Sequence, residues 1–286
     1  MRDSDLQANQ SRHEQLREIF DIRPIEPECQ DEYVRIPLDL PWTHLENDVE
    51  RAYRKFGWYG MVHRRNHKWN RSQLYGGLGL TYNPDYVHDI DMHAQCLGEP
   101  RSSKEVGLEE WSHQLKNGYE KQLVKYNTYN DPLGLRVRTE VTEWGNFPRV
   151  FEKLRFDMFQ GRLAEVRPHN VDQEKFDTNK EFLWHVDEEN EFVSRILIPL
   201  VYSDDYYIEF QDTGTKLRFE PGYAYHWNTK RVHRWNFDYH KEIKNRTCLI
   251  IGFSPWLTLK DGVWYTNEYT NKMNPTDMVK NGIVIL

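Results

Sequence analysis

The pattern of apolar and polar positions changes period near residue 160. In the first half, apolar residues mostly recur at helical spacing. Residues 4–20 read as a polar surface helix with Leu6, Leu16, Ile19 and Phe20 as its contacts. Tyr33 to Leu38 is a short extended piece, and Pro41-Trp42-Thr43 opens a clearer helix. Leu45, Val49, Ala52, Tyr53 and Phe56 form its apolar stripe, Thr43 with Glu46 makes a capping box, and Gly57 stops it. Residues 105–125 read as helical from Trp111, Leu115, Tyr119 and Leu123, which stand four apart. Asn130 to Gly134 is a turn, Pro148 starts a helix bearing Val150, Phe151 and Leu154, and Gly161 ends that element.

From Arg162 onward the period is that of strands. Leu163–Val166, Arg195–Tyr202, Tyr206–Phe210, Lys216–Phe219, Tyr223–Trp227, Arg234–Phe237 and Arg246–Phe253 are short runs separated by turns. Asp212-Thr213-Gly214-Thr215 is a hairpin turn between two of them. Many short strands joined by turns predict an antiparallel barrel or jelly roll. The expected fold is mainly β with flanking helices around a double-stranded β-helix, cupin-like core. It is read as one domain over 1–286: a helical, loop-rich portion 1–150 packs on a core 151–260, followed by an extension 261–286. That extension is polar with an apolar end, Ile283 to Leu286, and has two places to dock: the body, or a second subunit in a homo-oligomer.

Composition narrows the partners. The chain of 286 residues carries a net charge of -7 with 14% aromatics. An acidic total argues against nucleic acid as the main partner, since phosphate binding wants a basic face. The basic run His63 to Arg71 around Trp69 reads as a solvated face or anion rim. Cys29, Cys96 and Cys248 are too few and too scattered for a disulfide framework or metal pattern. The charged start Met1-Arg2-Asp3-Ser4-Asp5 lacks a signal peptide's apolar core, and no run is long enough for a membrane helix. A reducing cytoplasm is the expected compartment.

Two other stretches carry little chemistry. Tyr75-Gly76-Gly77-Leu78-Gly79-Leu80-Thr81 lacks the residues of a phosphate loop and reads as a turn or a close backbone approach. His88-Asp89-Ile90-Asp91-Met92-His93 has metal-binding residue types but no strand framework after it, and reads as a polar loop.

The chemistry concentrates between Trp184 and Pro255. His185 and Asp187, two apart on an extended segment, project from one face and can share a metal ion. His233, 48 residues later, supplies a third ligand if its strand folds back beside the first. Two imidazoles and a carboxylate on one face of Fe(II) leave positions open for a bidentate ligand and O2. Arg246, 13 residues past His233, heads an apolar strand whose return would put its guanidinium inside the barrel. A rigid, always-charged fork there suits a carboxylate. His226 is the rival distal histidine.

The stretch from Arg162 to Leu257 resembles the aspartyl/asparaginyl β-hydroxylase family of Fe(II)/2-oxoglutarate dioxygenases, which includes bacterial proline cis-hydroxylases. The phrase arginine-leucine-x-x-aliphatic followed by proline matches Arg162-Leu163-Ala164-Glu165-Val166 with Pro168, and Gly222, Tyr225 and Asn228 match the approach to the distal histidine. The resemblance implies His185, Asp187 and His233 as iron ligands and catalytic residues, with Arg246 and Arg195 approaching 2-oxoglutarate. The position two after Arg195, often histidine in the family, is Leu197, and the polar segment 170–180 suggests a loop of this chain's own over the site. The implied reaction is hydroxylation of an unactivated C–H in a free amino acid or an Asp/Asn-like residue, yielding succinate and CO2. A substrate carboxylate needs a cation, and Arg162, Arg167, Arg231 and Arg234 are the candidates. Two other readings are an oxygenase acting on a nucleobase or other small metabolite, and a non-catalytic cupin-like metal binder.

Overall fold

A computed structural model describes residues 33–60, 74–87, 91–97, 111–115, 122–126, 134–170, 182, 184–185, 194–229, 231–254, 256–261, 263–267, 269–270, 273 and 275–283. The helix expected over 4–20, the basic run His63 to Arg71 and the turn residues 130–133 lie outside them. The strands in chain order are Tyr33–Pro37 (β1), Tyr59–Gly60 (β2), Tyr75–Gly79 (β3), Thr81–Tyr82 (β4), Trp111–Leu115 (β5), Gln122–Tyr126 (β6), Val137–Arg138 (β7), Met158–Val166 (β8), Ser194–Val201 (β9), Tyr206–Phe210 (β10), Lys216–Arg218 (β11), Tyr223–Trp227 (β12), His233–Phe237 (β13), Arg246–Phe253 (β14), Leu257–Lys260 (β15) and Val263–Thr266 (β16). The α-helices are Trp42–Phe56 (α1), Phe147–Phe151 (α2) and Pro275–Lys280 (α3).

The strand order gives the architecture. One sheet runs β1-β12-β9-β14-β8-β3-β2, and a second runs β11-β10-β13, with His185 bridged antiparallel to His233 at the β13 side. Following the chain from β8, successive segments wind between the sheets: β8 in the large sheet, the His185 segment in the small one, β9 large, β10 and β11 small, β12 large, β13 small, β14 large. This winding is the double-stranded β-helix. All pairings in these two sheets are antiparallel.

Strand alternation sorts side chains into two layers. Ala164, Leu197, Tyr225, Trp227, Cys248 and Ile250 from the large sheet meet Ile208, Phe210 and Leu217 from the small one. This inter-sheet layer is the barrel interior. The intervening residues, including Leu163, Ile196, Ile198, Leu249, Ile251 and Phe253, face the helices instead, meeting Leu45, Val49 and Ala52 of α1 and Met278 and Val279 of α3. Each fully buried Leu or Val there contributes about 1.5–3 kcal/mol. The C-terminal extension therefore docks on the body of its own chain. The N-terminal portion adds β1 to one side of the large sheet and β3 with β2 to the other.

Several local expectations are corrected. The segment expected as a helix over 105–125 contains the antiparallel pair β5 and β6, registered Trp111 with Tyr126. The helix at Pro148 ends at Phe151, and Gly161, expected as its terminator, lies inside β8. No capping box forms on α1: Pro41 is its N-cap and no side-chain cap bond is present. Gly57 does close it, at φ 96°, its N–H donating to the Tyr53 carbonyl. The run at 75–79 is a strand, not a turn, but the close backbone approach is real: a Cβ on Gly76 would sit 2.3 Å from the Tyr59 carbonyl oxygen.

Candidate active site

His185 and His233 lie side by side. Each backbone N–H donates to the other's carbonyl, at 3.0 and 2.9 Å, and the two rings are 4.7 Å apart between centroids. His233 opens β13, and its alternation partners Trp235 and Phe237 pack into the barrel interior. The imidazole of His233 is therefore an inward group, and it is 1% exposed. Its Nδ1 lies 2.8 Å from the Arg231 carbonyl oxygen. A carbonyl only accepts, so Nδ1 carries the proton and Nε2 the lone pair. That is how second-shell bonding presents a histidine to a metal. Asp187 lies outside the described residues, and among the described residues no group of three or more metal-binding side chains occurs.

His226 is set apart by the same alternation. Its neighbours Tyr225 and Trp227 face the interior, so His226 faces the helix layer, 6.4 Å from Phe253. Its Nδ1 meets the Arg195 carbonyl at 3.1 Å, and burial pushes its pKa down to about 4. It is a neutral structural histidine turned away from His185.

Arg246 begins β14 and is 3% exposed. Its guanidinium lies 4.1 Å from the Trp235 ring centroid and 5.1 Å from that of Phe219, with Tyr206 at 5.9 Å. Its Nη2 is buried with no hydrogen-bond partner. A buried donor left unpaired costs about 1–3 kcal/mol, more on a charged group. Such an arrangement calls for an anionic acceptor inside the barrel. Trp235, Phe219 and Tyr206 were not singled out from sequence. The signal for Trp235 was present: it stands two residues after His233 and so on the same face.

Arg195 is 9% exposed and shares the interior face of β9 with Leu197. Arg162 stands opposite Ile250 and Gly79 on the interior face of β8, and its Nε is buried without a partner. The other three arginines are engaged with carboxylates. Arg167 Nε donates to Glu165 at 2.5 Å and its guanidinium lies 4.2 Å over Trp58, on the helix side of the sheet. Burial pushes the Glu165 carboxyl up, and Arg167 opposes that shift. Arg231 donates to Asp212 through Nε at 3.0 Å and Nη2 at 2.5 Å. Arg234 holds one oxygen of Glu209 through Nε at 2.8 Å and Nη2 at 2.7 Å, and stacks 4.2 Å from Trp184. Arg162, Arg195 and Arg246 thus belong to the interior face, while Arg167 and Arg234 do not.

The polar loop at 88–93 is structural where it is described. Asp91 accepts from the Tyr59 hydroxyl and the His93 backbone N–H, both at 2.8 Å, and His93 Nε2 lies 3.5 Å from Glu140. Residues 88–90 lie outside the described residues. Cys96 and Cys248 are free and buried, and burial pushes both thiols up to about 11. Among the described residues, no helix is long and apolar enough to cross a membrane.

No protein family and no curated protein matches the sequence. Among the solved structures that are similar at low identity are the following two. A prolyl hydroxylase from Trichoplax adhaerens, in complex with a hypoxia inducible factor oxygen degradation domain peptide fragment, is 11% identical with a TM-score of 0.39, over 88% of this chain and 93% of that one. An oxidoreductase of the 2OG-Fe(II) oxygenase family from Burkholderia pseudomallei is 12% identical with a TM-score of 0.33, over 86% and 89%. At that distance neither bears on function, and the fold stands on the strand order and winding of this chain.

Proposed function

We propose that this protein is an Fe(II)/2-oxoglutarate-dependent dioxygenase that hydroxylates an unactivated C–H of a free amino acid or an Asp/Asn-like residue, with succinate and CO2 as co-products. The observation that carries this reading is the inward pair His185 and His233 sharing a barrel with a buried, incompletely bonded Arg246. The donor set suits the metal: two imidazoles, one with its tautomer fixed, plus the carboxylate of Asp187 from sequence. His185, Asp187 and His233 would hold Fe(II), and Arg246 would pair the distal carboxylate of 2-oxoglutarate, with Arg195 as a second cation on the same face. Bound iron supplies the activation of O2 needed to attack a C–H bond.

The chain's own residues do the rest. Arg231 holds His233 in the metal-binding tautomer through its carbonyl. Trp235, Phe219 and Tyr206 keep water from Arg246, so a carboxylate there meets a strong, oriented charge. Arg162 is the cation best placed for a substrate carboxylate, since Arg167 and Arg234 are committed to carboxylates off the interior face and Arg231 to Asp212.

The test is anaerobic titration with Fe(II) and 2-oxoglutarate, followed by a mass-spectrometric screen for a +16 product over amino acids, peptides and nucleobases. A weak visible band should appear in the wild type and vanish in His233→Ala. A band that survives His233→Ala would overturn the ligand assignment. Binding of both without succinate release on any substrate would favour the non-catalytic metal binder.

A further inference from the structure

A cavity of about 230 Å3 lies away from the barrel interior, where the C-terminal extension covers the large sheet. It is smaller than a drug-sized pocket, which spans roughly 300–1,000 Å3, and suits a metabolite. Its lining includes Arg155, Asp157, Ser254, Thr270, Met278 and Ile283. The apolar part comes from the extension: Met278 of α3 is 1% exposed, and Ile283 packs against the same core.

The polar part is unusual. Ser254 is 2% exposed and Thr270 is 6% exposed, yet neither Oγ nor Oγ1 has a hydrogen-bond partner. Buried hydroxyls normally find partners, and each one left bare costs about 1–3 kcal/mol. The two are brought together from distant points: Ser254 directly follows β14, and Thr270 lies beyond β16. Opposite charges line the same space. Asp157 spends one oxygen, Oδ2, on the Leu259 N–H at 2.7 Å and the Thr258 hydroxyl at 3.4 Å. Among the described residues Arg155 makes one long bond, 3.4 Å from Nη1 to the Gly282 carbonyl. Among the described residues nothing else bonds its remaining donors or Asp157 Oδ1, which leaves them for a ligand.

We propose that this cavity is an accessory site for a free amino acid with an apolar side chain. A cation and an anion two residues apart match the carboxylate and ammonium of a zwitterion. The bare hydroxyls complete their hydrogen bonds, and Met278 and Ile283 receive the side chain. A simple anion would meet Asp157 and a simple cation would meet Arg155, so each is disfavoured relative to the zwitterion. The site does not depend on the metal or cosubstrate reading of the barrel.

Calorimetric titration of the full chain with L-leucine and L-methionine tests this, with N-acetyl-L-leucine and L-leucinamide as analogues lacking one charge. Binding of at least one amino acid is expected, with each blocked form at least tenfold weaker. Arg155→Gln, Asp157→Asn and the double variant Ser254→Ala/Thr270→Val should each weaken binding at least tenfold. Asparagine at 157 keeps an acceptor for Leu259, so the fold should survive, and an unchanged melting temperature checks that. His233→Ala should bind as the wild type does. Absence of binding at millimolar amino acid, equal binding of N-acetyl-L-leucine, indifference to the cavity variants, or loss in His233→Ala would each overturn the proposal.

Discussion

His185 and His233 are joined by a reciprocal pair of backbone hydrogen bonds, so their side chains are paired before any metal arrives. Neither ring needs the ion to find its neighbour, and ligand preorganisation reduces the ordering cost of binding. Removing either imidazole should therefore cost metal affinity without unfolding the barrel. We expect His185→Ala and His233→Ala each to weaken Fe(II) binding by more than the roughly 10–100-fold typical of losing a second-shell partner. Equilibrium dialysis with Fe(II) under argon measures this, and circular dichroism should report an unchanged strand signal.

Arg246 sets stability against function. Its charge sits among Trp235, Phe219 and Tyr206 with Nη2 unbonded, which is costly in the free protein. Replacing buried ionic groups by apolar residues of similar volume is often neutral or stabilising by about 1–4 kcal/mol. Arg246→Met should therefore melt at the wild-type temperature or above it, yet bind 2-oxoglutarate with a loss of about 2–5 kcal/mol, the range for truncating one partner of a buried charge pair. A variant that binds the cosubstrate normally would remove Arg246 from the site.

The pH dependence of stability should carry the mark of His226. Its folded pKa is about 4, below the unfolded value of about 6.5. Between those values the unfolded chain takes up a proton that the native state refuses. Stability contributed by neutral His226 is thus full above about pH 6.5 and is lost as pH falls toward 4. The span corresponds to at most about 3 kcal/mol. Urea unfolding at pH 7, 6 and 5 should show wild-type stability falling with pH, and His226→Leu should flatten that slope whatever its absolute stability.

The part of the fold readable from sequence is the part set by local alternation. Tyr206 to Phe210, Tyr223 to Trp227 and Arg246 to Phe253 have the expected boundaries because each keeps strand chemistry between turn residues. The same alternation identifies His233 rather than His226 as the inward group, once Trp235 and Tyr225 are placed in the core. Trp111, Leu115, Tyr119 and Leu123 misled because a spacing of four is both a helical turn and an even number. Residues two or four apart also share a strand face. Nothing local announces that β1 and β3 extend the large sheet, since their partners lie far away in sequence. Nor does spacing reveal that Arg167 and Arg234 are already paired.

Gly77 measures how tightly β3 is packed on β8. A Cβ there would lie 1.7 Å from the Leu163 carbonyl oxygen and 2.8 Å from its carbonyl carbon, both backbone atoms that cannot swing aside. Gly77→Ala should cost about 4 kcal/mol or more, the range reserved for major disruption. Gly214, at φ +68°, has nothing within 4 Å of its added Cβ, so Gly214→Ala should cost only the backbone term of about 1–2 kcal/mol. Chemical denaturation of the two variants side by side gives the comparison. Equal losses would mean that β3 can shift away from β8.

Glu209 tests whether the outward face of the small sheet orients the proposed metal site. Its carboxylate fixes Arg234, whose guanidinium stacks on Trp184, the residue immediately before His185. Glu209 touches neither His185 nor the barrel interior, so any influence on the metal must pass through that stack. Glu209→Gln keeps the shape but removes the charge. It should weaken metal binding about tenfold, the lower part of the range for outer partners of ligands, and, because both side chains of the pair are largely buried, it should cost about 1–3 kcal/mol of overall stability. Glu209→Asp should restore part of the affinity. If metal affinity instead follows the melting temperature across these variants, the pair merely holds β10 to β13 and does not position His185.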